Sequence, residues 1–411
     1  MGDPVLRTRD FRHQELDSDS VRNRESLVRY LSQSLTGDYR TVVGEDEIRT
    51  TTTAVKSYLI ELHREADDPL HAWKRAGFLE ITSLDDRTLI KAEDSKGAVY
   101  FIDARNRRFQ IVHTIDRVDL TDQTIDRLTS GESGGFDHAW MPGQFLKSQN
   151  RGHLTGFSFR FVAAMPGVLS DDVDVNRETG EIRPSVRKRS GTSLKITEYS
   201  QAEEEFHELL ASKVLVGRKS LDQIEFRVAD PEEPGDYYTS SGVYSWGKVV
   251  TRGTWIGGHF STMDAIAESY DQLIRRIEDQ YAVGWVPHGR GLVHRGRPFL
   301  FRLPGEVAIS DLARFVEKLF SATKPFRMIG VRDRVSNSRV DVAAVDLHSG
   351  DPVSFEITPY WLRVYLPIGS CGNIIPRLYT NLLGSVNSEI SLDLDSGENP
   401  FESEELWPPR V

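Results

Sequence analysis

The C-terminal part of the chain contains two carboxylates whose spacing could hold a divalent cation. Asp346 is expected on one strand, with Asp341 as the alternative acid of that strand, and Glu356 is expected on the next strand. Carboxylate oxygens are the ligands that Mg²⁺ prefers. Thr358 lies two residues after Glu356 and shares its face of the strand, because side chains alternate along a strand. The pattern therefore predicts a candidate metal site at Asp346 and Glu356, and Thr358 offers no cationic donor beside Glu356.

The elements that must position these acids are predicted to be a helix, three strands, a second helix and a final strand. Apolar residues at helical spacing predict the first helix from Ser310 to Phe320, and Lys324-Pro325 ends it. The turn sequence from Ser349 to Pro352 predicts a hairpin between the second and third strands. The predicted ranges are 326–331, 339–346 and 353–358 for the strands, 373–383 for the second helix and 389–394 for the last strand.

With acids on its second and third strands, the segment 310–394 resembles the core of the restriction-endonuclease-like, or PD-(D/E)xK, nucleases. The resemblance implies a nuclease that uses Mg²⁺, with Asp346 and Glu356 as catalytic and metal-binding residues. The lysine of that motif is Thr358 here, and Arg363 is the candidate to replace its charge. The alternative interpretation is a mixed sheet whose acids face solvent and bind no metal.

A second group of residues has the chemistry of phosphate binding. The sequence contains no acidic residue from Gln280 to Gly305, and four arginines and a tryptophan lie in this segment: Arg290, Arg295, Arg297, Arg302 and Trp285. Glycines beside Arg290 and Arg295 predict a hairpin tip. Guanidinium groups bind phosphate oxygens in pairs, and an exposed tryptophan can stack on a base. The segment therefore predicts contact with nucleic acid, against the alternative of a charged hairpin turn and core tryptophans.

Two other basic regions extend this prediction. Lys248 and Arg252 lie among glycines, but the spacing is not that of a phosphate-binding Walker loop, which excludes a P-loop NTPase. Arg187, Lys188 and Arg189 belong to a stretch with no acid from Ile182 to Thr197. We predict that these five residues contact phosphates together with the hairpin, the stretch around Lys188 acting as an arm. The alternative for that stretch is a solvated loop.

The composition limits the remaining classes of function. The net charge is −11, which opposes a surface that is basic throughout but permits a local basic groove. Cys371 is the single cysteine, which excludes an intrachain disulfide and a thiolate-rich zinc site and favours a reducing cytoplasm. We expect Cys371 to be structural, because a catalytic cysteine needs a histidine and the nearest in sequence is His348. The sequence predicts no membrane-spanning segment.

The periodicity predicts an α+β fold with several domains. A helix is expected over Ala54–Ala66 and a meander of four strands over 78–113. The predicted divisions are an N-terminal helical region at 1–76, a β-rich domain at 77–165, an exposed charged insertion at 166–193, an α/β domain with the basic hairpin at 194–305, an αβββαβ domain at 306–394 and an acidic tail at 395–411.

Three functions remain open from the sequence. The first is a nucleic-acid-binding, non-catalytic subunit of a prokaryotic complex, with nucleic acid and another protein subunit as partners and no cofactor. The second is the metal-dependent nuclease, which needs Mg²⁺. The third is a scaffold that binds proteins through a sheet edge or the acidic tail. We find no hydrolase triad and no dinucleotide-binding fingerprint.

Overall fold

A computed structural model describes residues 17–35, 54–63, 69–130, 135–161, 173–175, 182–184, 193–196, 219–233, 237–336, 338–394 and 401. The fold is α+β, as predicted. The strands are β1 (Val55–Leu62), β2 (Glu80–Ser83), β3 (Leu89–Glu93), β4 (Val99–Asp103), β5 (Phe109–Thr114), β6 (Phe136–His138), β7 (His153–Phe161), β8 (Val173–Val175), β9 (Ile182–Pro184), β10 (Ser193–Ile196), β11 (Lys219–Ala229), β12 (Tyr238–Tyr244), β13 (Lys248–Gly253), β14 (Gly284–His288), β15 (Gly291–Arg295), β16 (Phe299–Arg302), β17 (Met328–Ser336), β18 (Arg339–Asp346), β19 (Pro352–Ile357), β20 (Trp361–Tyr365) and β21 (Ser391–Leu394).

The helices lie between and beside these strands. They are α1 (Arg24–Ser32), α2 (Pro69–Lys74), α3 (Val118–Leu128), α4 (Gly143–Ser148), α5 (Ile256–Arg276), α6 (Ile309–Leu319) and α7 (Ile374–Ser385), with a 3₁₀ turn at Ser18–Ser20 and a π turn at Ile277–Tyr281. Asn23 caps α1, because its side chain accepts a hydrogen bond from Ser26 N at 3.0 Å. Within the described residues, no helix has both the length and the apolar stretch required to cross a bilayer.

Among the described residues, eleven antiparallel strands form the large sheet, in the order β10-β7-β11-β12-β13-β1-β5-β4-β3-β2, with β6 paired to the end of β1. The predicted meander is confirmed as β2 to β5. Strands from the predicted segments 1–76, 77–165 and 194–305 all join this one sheet. The large sheet therefore crosses the predicted divisions. The sequence did not indicate this, because pairing between strands that are distant in the chain leaves no local signal.

The predicted helix over Ala54–Ala66 is wrong, because Val55–Leu62 forms β1 at the centre of the large sheet. Every residue of this strand is buried, and it pairs with β13 on one side and β5 on the other. Because both faces of this strand are buried, its apolar residues do not alternate with polar ones, and the helical spacing of Val55, Leu59 and Leu62 was accidental.

In the described part of the chain, six antiparallel strands form the small sheet, in the order β17-β18-β19-β20-β16-β21. The predicted hairpin is confirmed as β18 and β19. The structure adds two strands to the predicted order, since the aromatic run Trp361–Tyr365 forms β20 and Phe299–Arg302 joins as β16. The pairings in this sheet are antiparallel, so it is not a mixed sheet.

One apolar core joins the two sheets. The long helix α5 contributes Met263, Ile266 and Tyr270, and this core also contains Phe109 from the large sheet and Leu362 from the small one. Burial of this continuous surface holds the sheets against each other. Phe401, from the predicted acidic tail, is buried in the same core and packs on Tyr379, with ring centroids 5.7 Å apart.

Candidate metal centre

Three side chains from distant parts of the chain converge where the two sheets meet. Cys371 Sγ lies 3.3 Å and 3.4 Å from the two carboxylate oxygens of Glu61 and 3.4 Å from His63 Nδ1. His63 Nδ1 lies 3.5 Å from Glu61 Oε2. All three side chains are almost completely buried. One sulfur, one nitrogen and one oxygen donor therefore surround a single point.

The end of β1 places Glu61 and His63. The two residues are two positions apart on an extended segment, so their side chains leave the same face. β6 pairs with this end of β1, and His63 N donates to Gly135 O at 2.8 Å, which fixes the backbone beyond the strand.

The loop before α7 brings Cys371 to this point. Cys371 N donates to Asp351 Oδ2 at 2.8 Å, and Gly372 N donates to Glu278 Oε1 at 2.7 Å. A Cβ on Gly372 would lie 3.0 Å from the carbonyl oxygen of Ile274, which is tighter than ordinary van der Waals contact. Glycine therefore permits the close approach that carries the thiol to β1.

The charges around the cluster favour a cation. Arg108 donates to Glu61 Oε1 at 2.8 Å and to both oxygens of Glu278, at 2.6 and 2.8 Å. Asp351 adds a further carboxylate. A cavity of about 370 Å³ adjoins the cluster and is lined by Arg275 with His63, Arg108, Glu278, Ser349, Asp351, Gly369, Ser370 and Cys371. Arg275 is itself paired with Asp271, so the carboxylates exceed the cations that neutralise them.

The separations of the three donors match a tetrahedral site for a zinc-class ion. With metal–sulfur bonds of about 2.3 Å and metal–nitrogen or metal–oxygen bonds of about 2.0–2.2 Å, donors at tetrahedral angles lie about 3.3–3.6 Å apart. The observed separations are 3.3 to 3.5 Å. Cysteine, histidine and a carboxylate form a donor set that suits Zn²⁺ better than Mg²⁺ or Ca²⁺, which prefer oxygen ligands.

A cysteine nucleophile fits this geometry less well. In a catalytic triad the two nitrogens of the histidine serve different partners, one the nucleophile and the other the acid. Here Cys371 and Glu61 approach the same nitrogen of His63, and Nε2 is buried with no hydrogen-bond partner among the residues that the structure describes. Burial, together with the charge of Glu61, raises the pKa of the Cys371 thiol well above its ordinary value. The thiol is therefore a weak nucleophile unless a cation compensates its charge.

A buried ion triad, which we call the seam, lies beside the cluster. It consists of Asp137, Arg377 and Asp346. Arg377 on α7 pairs with Asp137 of the large sheet and with Asp346 of the small sheet, and its side chain is 1% exposed. Burial raises the pKa of Asp346, but the charge of Arg377, together with His348 and the hydrogen bond from Ser349, holds that pKa well below its ordinary value. The seam thus fixes α7, and the Cys371 loop that precedes it, against β1 and β6.

Comparison with known proteins covers almost the whole chain. A model of the MJECL33-like protein family matches residues 16–400. The chain belongs to the MJECL33-like protein family. It is 27% identical over 401 residues to the "uncharacterized protein MJECL33" of Methanocaldococcus jannaschii, an alignment that covers 91% of this chain and 95% of the relative. No solved structure matches the chain.

In this member of the family, the predicted metal pair Asp346 and Glu356 is not brought together. Glu356 is the register partner of Asp341, five residues before Asp346 along β18, so the two acids are separated by roughly 16 Å. The strands run antiparallel, and the end of β18 therefore faces the start of β19. Asp346 is held by Arg377, and Glu356 is paired with Arg363 at 2.9 Å. Arg363 thus lies beside Glu356, but neither acid is placed to share a cation with the other.

The predicted basic residues do not form one surface. Lys248 is buried and paired with Asp122 at 2.7 Å, with the ring of Trp246 5.4 Å away. Arg252 is half-buried on β13, in the large sheet. Arg302 is paired with Asp393. Arg187, Lys188 and Arg189 lie outside the described residues, as does most of the predicted insertion.

The predicted hairpin itself is confirmed as β14 and β15. Arg290 lies exposed at its tip, and Trp285 is 67% exposed on β14. Arg295 donates to the backbone carbonyl of Asp279. The backbone N–H of Arg297 donates to Tyr281 O at 3.1 Å at the base of the hairpin.

Sequence reasoning missed Glu61 and His63 because they lay in the segment predicted as a helix. Residues two apart on a helix point to nearly opposite sides, whereas on a strand they share a face. The available signal for a metal site was an apolar run that ends in a Glu-x-His pair, in a chain with one cysteine. The convergence with Cys371, 310 residues from Glu61, had no signal in the sequence.

Proposed function

We propose that the protein binds a zinc-class divalent cation through Glu61, His63 and Cys371 and uses it to hydrolyse a substrate held in the adjoining cavity. The observation that carries this proposal is the set of donor separations, 3.3 to 3.5 Å, among three chemically suitable atoms. A reducing cytoplasm, as the single cysteine favours, would keep the thiol available as a ligand.

The number of protein donors supports hydrolysis over a purely structural role. Structural zinc sites have four protein ligands, whereas catalytic sites have three and leave one position for water or substrate. An ion in such a site lowers the pKa of a bound water to about 7.

Asp351 is the carboxylate best placed to accept a proton in the cavity. Both oxygens of Glu278 are engaged by Arg108. Asp351 lines the same cavity and, within the described residues, makes no ion pair; its Oδ2 accepts only the N–H of Cys371. A carboxylate that is not neutralised by an arginine is the better general base.

Metal analysis of the purified protein tests this proposal. We expect about one zinc ion per chain, and Co²⁺ in its place should give the near-ultraviolet absorption of a thiolate–cobalt bond. Cys371→Ser should remove that absorption, and His63→Ala should reduce the metal content strongly. His71→Ala, which changes an exposed histidine, is the matched control and should retain the ion. Equal metal content in Cys371→Ser and the native chain would contradict the proposal.

A second candidate function is nucleic-acid binding through the β14–β15 hairpin, as a non-catalytic subunit. Exposure of Trp285 on β14 and of Arg290 at the tip of the same hairpin supports it, because a large aromatic ring and guanidinium groups together bind bases and phosphates. Labelled oligonucleotides should then bind with an affinity that falls steeply with salt. The double variant Arg290→Glu, Arg297→Glu should abolish binding, and Arg332→Glu on the exposed strand β17 should not. Affinity unchanged by the double variant would remove this candidate.

A further inference from the structure

A second cavity, of about 330 Å³, lies between the two sheets and is separate from the metal centre in its lining residues. We call it the cleft. The large sheet and its loops contribute Trp140 and Trp246, and the small-sheet side contributes Lys324, Arg327 and His348. Clefts between packed units with aromatic walls and a few charged groups are common ligand sites.

The charges of the cleft favour an anionic ligand. The acids Asp122 and Asp222 on the large-sheet wall are already paired, with Lys248 at 2.7 Å and with Arg160 at 2.9 Å. On the opposite wall, Lys324 and Arg327 have no carboxylate within ion-pair distance among the residues that the structure describes. Asp126 is the remaining acid of the lining, and it lies 3.7 Å from His138 Nε2. Two cations therefore remain for a ligand.

The loop that carries these cations is held in a strained conformation. Ala322 has a φ of 61° and Arg327 a φ of 52°, a left-handed conformation that is energetically unfavourable for residues other than glycine. Three backbone hydrogen bonds of 2.9 Å hold it: Ala322 N to Met328 O, Arg327 N to Thr323 O, and Leu347 N to Arg327 O. Such strain persists where the surrounding structure imposes it, and it is concentrated at ligand-binding sites.

Two partly exposed tryptophans provide the opposite wall. Trp140 and Trp246 both pack edge-on against His138, with ring centroids 5.5 and 5.2 Å from it. Both rings are partly exposed and line the cleft. Indole rings bind planar groups by stacking.

We propose that the cleft binds a nucleoside monophosphate, with the phosphate at Lys324 and Arg327 and the base against Trp140 and Trp246. Two cations on one wall and two aromatic rings on the other suit a ligand that is anionic at one end and flat at the other. The volume suits one nucleotide rather than a polymer. The cleft shares no lining residue with the cavity of the metal centre, so a test of nucleotide binding does not depend on the proposed metal binding.

Calorimetric titration with AMP, GMP, CMP and UMP tests the proposal, with inorganic phosphate and the free nucleosides as partial ligands. At least one monophosphate should bind with a dissociation constant below about 1 mM, and its nucleoside and phosphate should each bind more weakly. Arg327→Gly should weaken binding about 10-fold or more, because it removes charge-assisted hydrogen bonds. Trp246→Leu should weaken binding of the preferred base about 5-fold or more.

Arg327→Gly separates binding from folding. Glycine adopts a positive φ without strain, so this variant should be at least as stable as the native chain while it loses affinity. Arg332→Ala removes the same charge from an exposed position on β17 and should bind as the native chain does. The proposal is overturned if no monophosphate binds below about 1 mM, or if Arg327→Gly and Arg332→Ala bind equally well.

Discussion

The seam and the basic hairpin both contain arginine, but they differ in burial and in the partners of its guanidinium group. Arg377 is 1% exposed and lies between two carboxylates from different sheets. Arg290 is exposed at the tip of a two-stranded hairpin. A buried guanidinium with partners fixes structure, whereas an exposed one is available to a ligand. Arginine content alone therefore does not distinguish a structural role from a binding role; burial and partners do.

The largest effect is expected at the seam. Arg377→Leu should lower the free energy of unfolding by about 3–5 kcal/mol, because it leaves Asp137 and Asp346 buried without a counter-charge. Denaturant unfolding measures this change. Arg302→Ala is the matched control: its ion pair with Asp393 is solvent-exposed, so the change should stay within about 1 kcal/mol. Equal losses in the two variants would remove the distinction between the regions.

An effect of intermediate size is expected from metal at the cluster beside the seam. Free Zn²⁺ at 100 times its dissociation constant should raise the free energy of unfolding by about 2.7 kcal/mol, since the ion binds only the folded chain. Thermal unfolding with and without a chelator measures the shift. Cys371→Ser should remove most of the dependence on metal. A shift of the same size in that variant would show that zinc acts elsewhere.

An effect that grows as the pH falls is expected from acid, through His113 and His259. Burial lowers the pKa of His113 to about 3 and that of His259 well below its ordinary value, so both are neutral in the folded chain. The unfolded chain binds protons below about pH 6.5, so stability is full above that pH and falls as the pH drops toward 3.

The slope of this loss identifies its source. Each histidine contributes up to about 1.4 kcal/mol per pH unit below pH 6.5, which denaturant unfolding at pH 7, 6 and 5 measures. His113→Gln should reduce the slope by about half, although it also alters the hydrogen bond to Ser57, 2.7 Å in length. The quantity to compare between the native chain and His113→Gln is therefore the slope of the free energy of unfolding against pH, measured between pH 6 and 5. An unchanged slope would exclude His113 as a source.

The smallest effect on stability is expected at the hairpin. Trp285→Ala and Arg290→Ala should each change the free energy of unfolding by less than about 0.5 kcal/mol, because both side chains are exposed. Thermal unfolding measures this. A larger loss in Trp285→Ala would mean that the ring is part of the folded core, and the hairpin would then lose its role as a binding surface.

The sequence predicted regular elements well where their pattern was local. The meander, the basic hairpin and the β18–β19 hairpin follow from turn residues and alternation, and all are present. β1 was mistaken for a helix because burial on both faces removes the alternation that marks a strand. The pairing that unites the large sheet was also invisible, since it joins residues far apart in the chain.

The candidate site was less predictable than the fold. Acid spacing suggested Asp346 and Glu356, but antiparallel pairing places them at opposite ends of a hairpin. Glu61, His63 and Cys371 meet only when the two sheets pack, and no spacing in the sequence encodes that contact. A site assembled across a packing interface requires the tertiary structure before its residues can be recognised.

The seam also has a consequence for the order of folding. Asp137 and Arg377 are 240 residues apart, so their pairing closes a very long loop and must follow the formation of both sheets. During synthesis, the strands of the large sheet emerge from the ribosome before Arg377, the cation that pairs with the buried Asp137 of that sheet. We therefore expect the junction of the sheets to form last, and chains shortened before residue 377 to expose an incomplete, aggregation-prone surface.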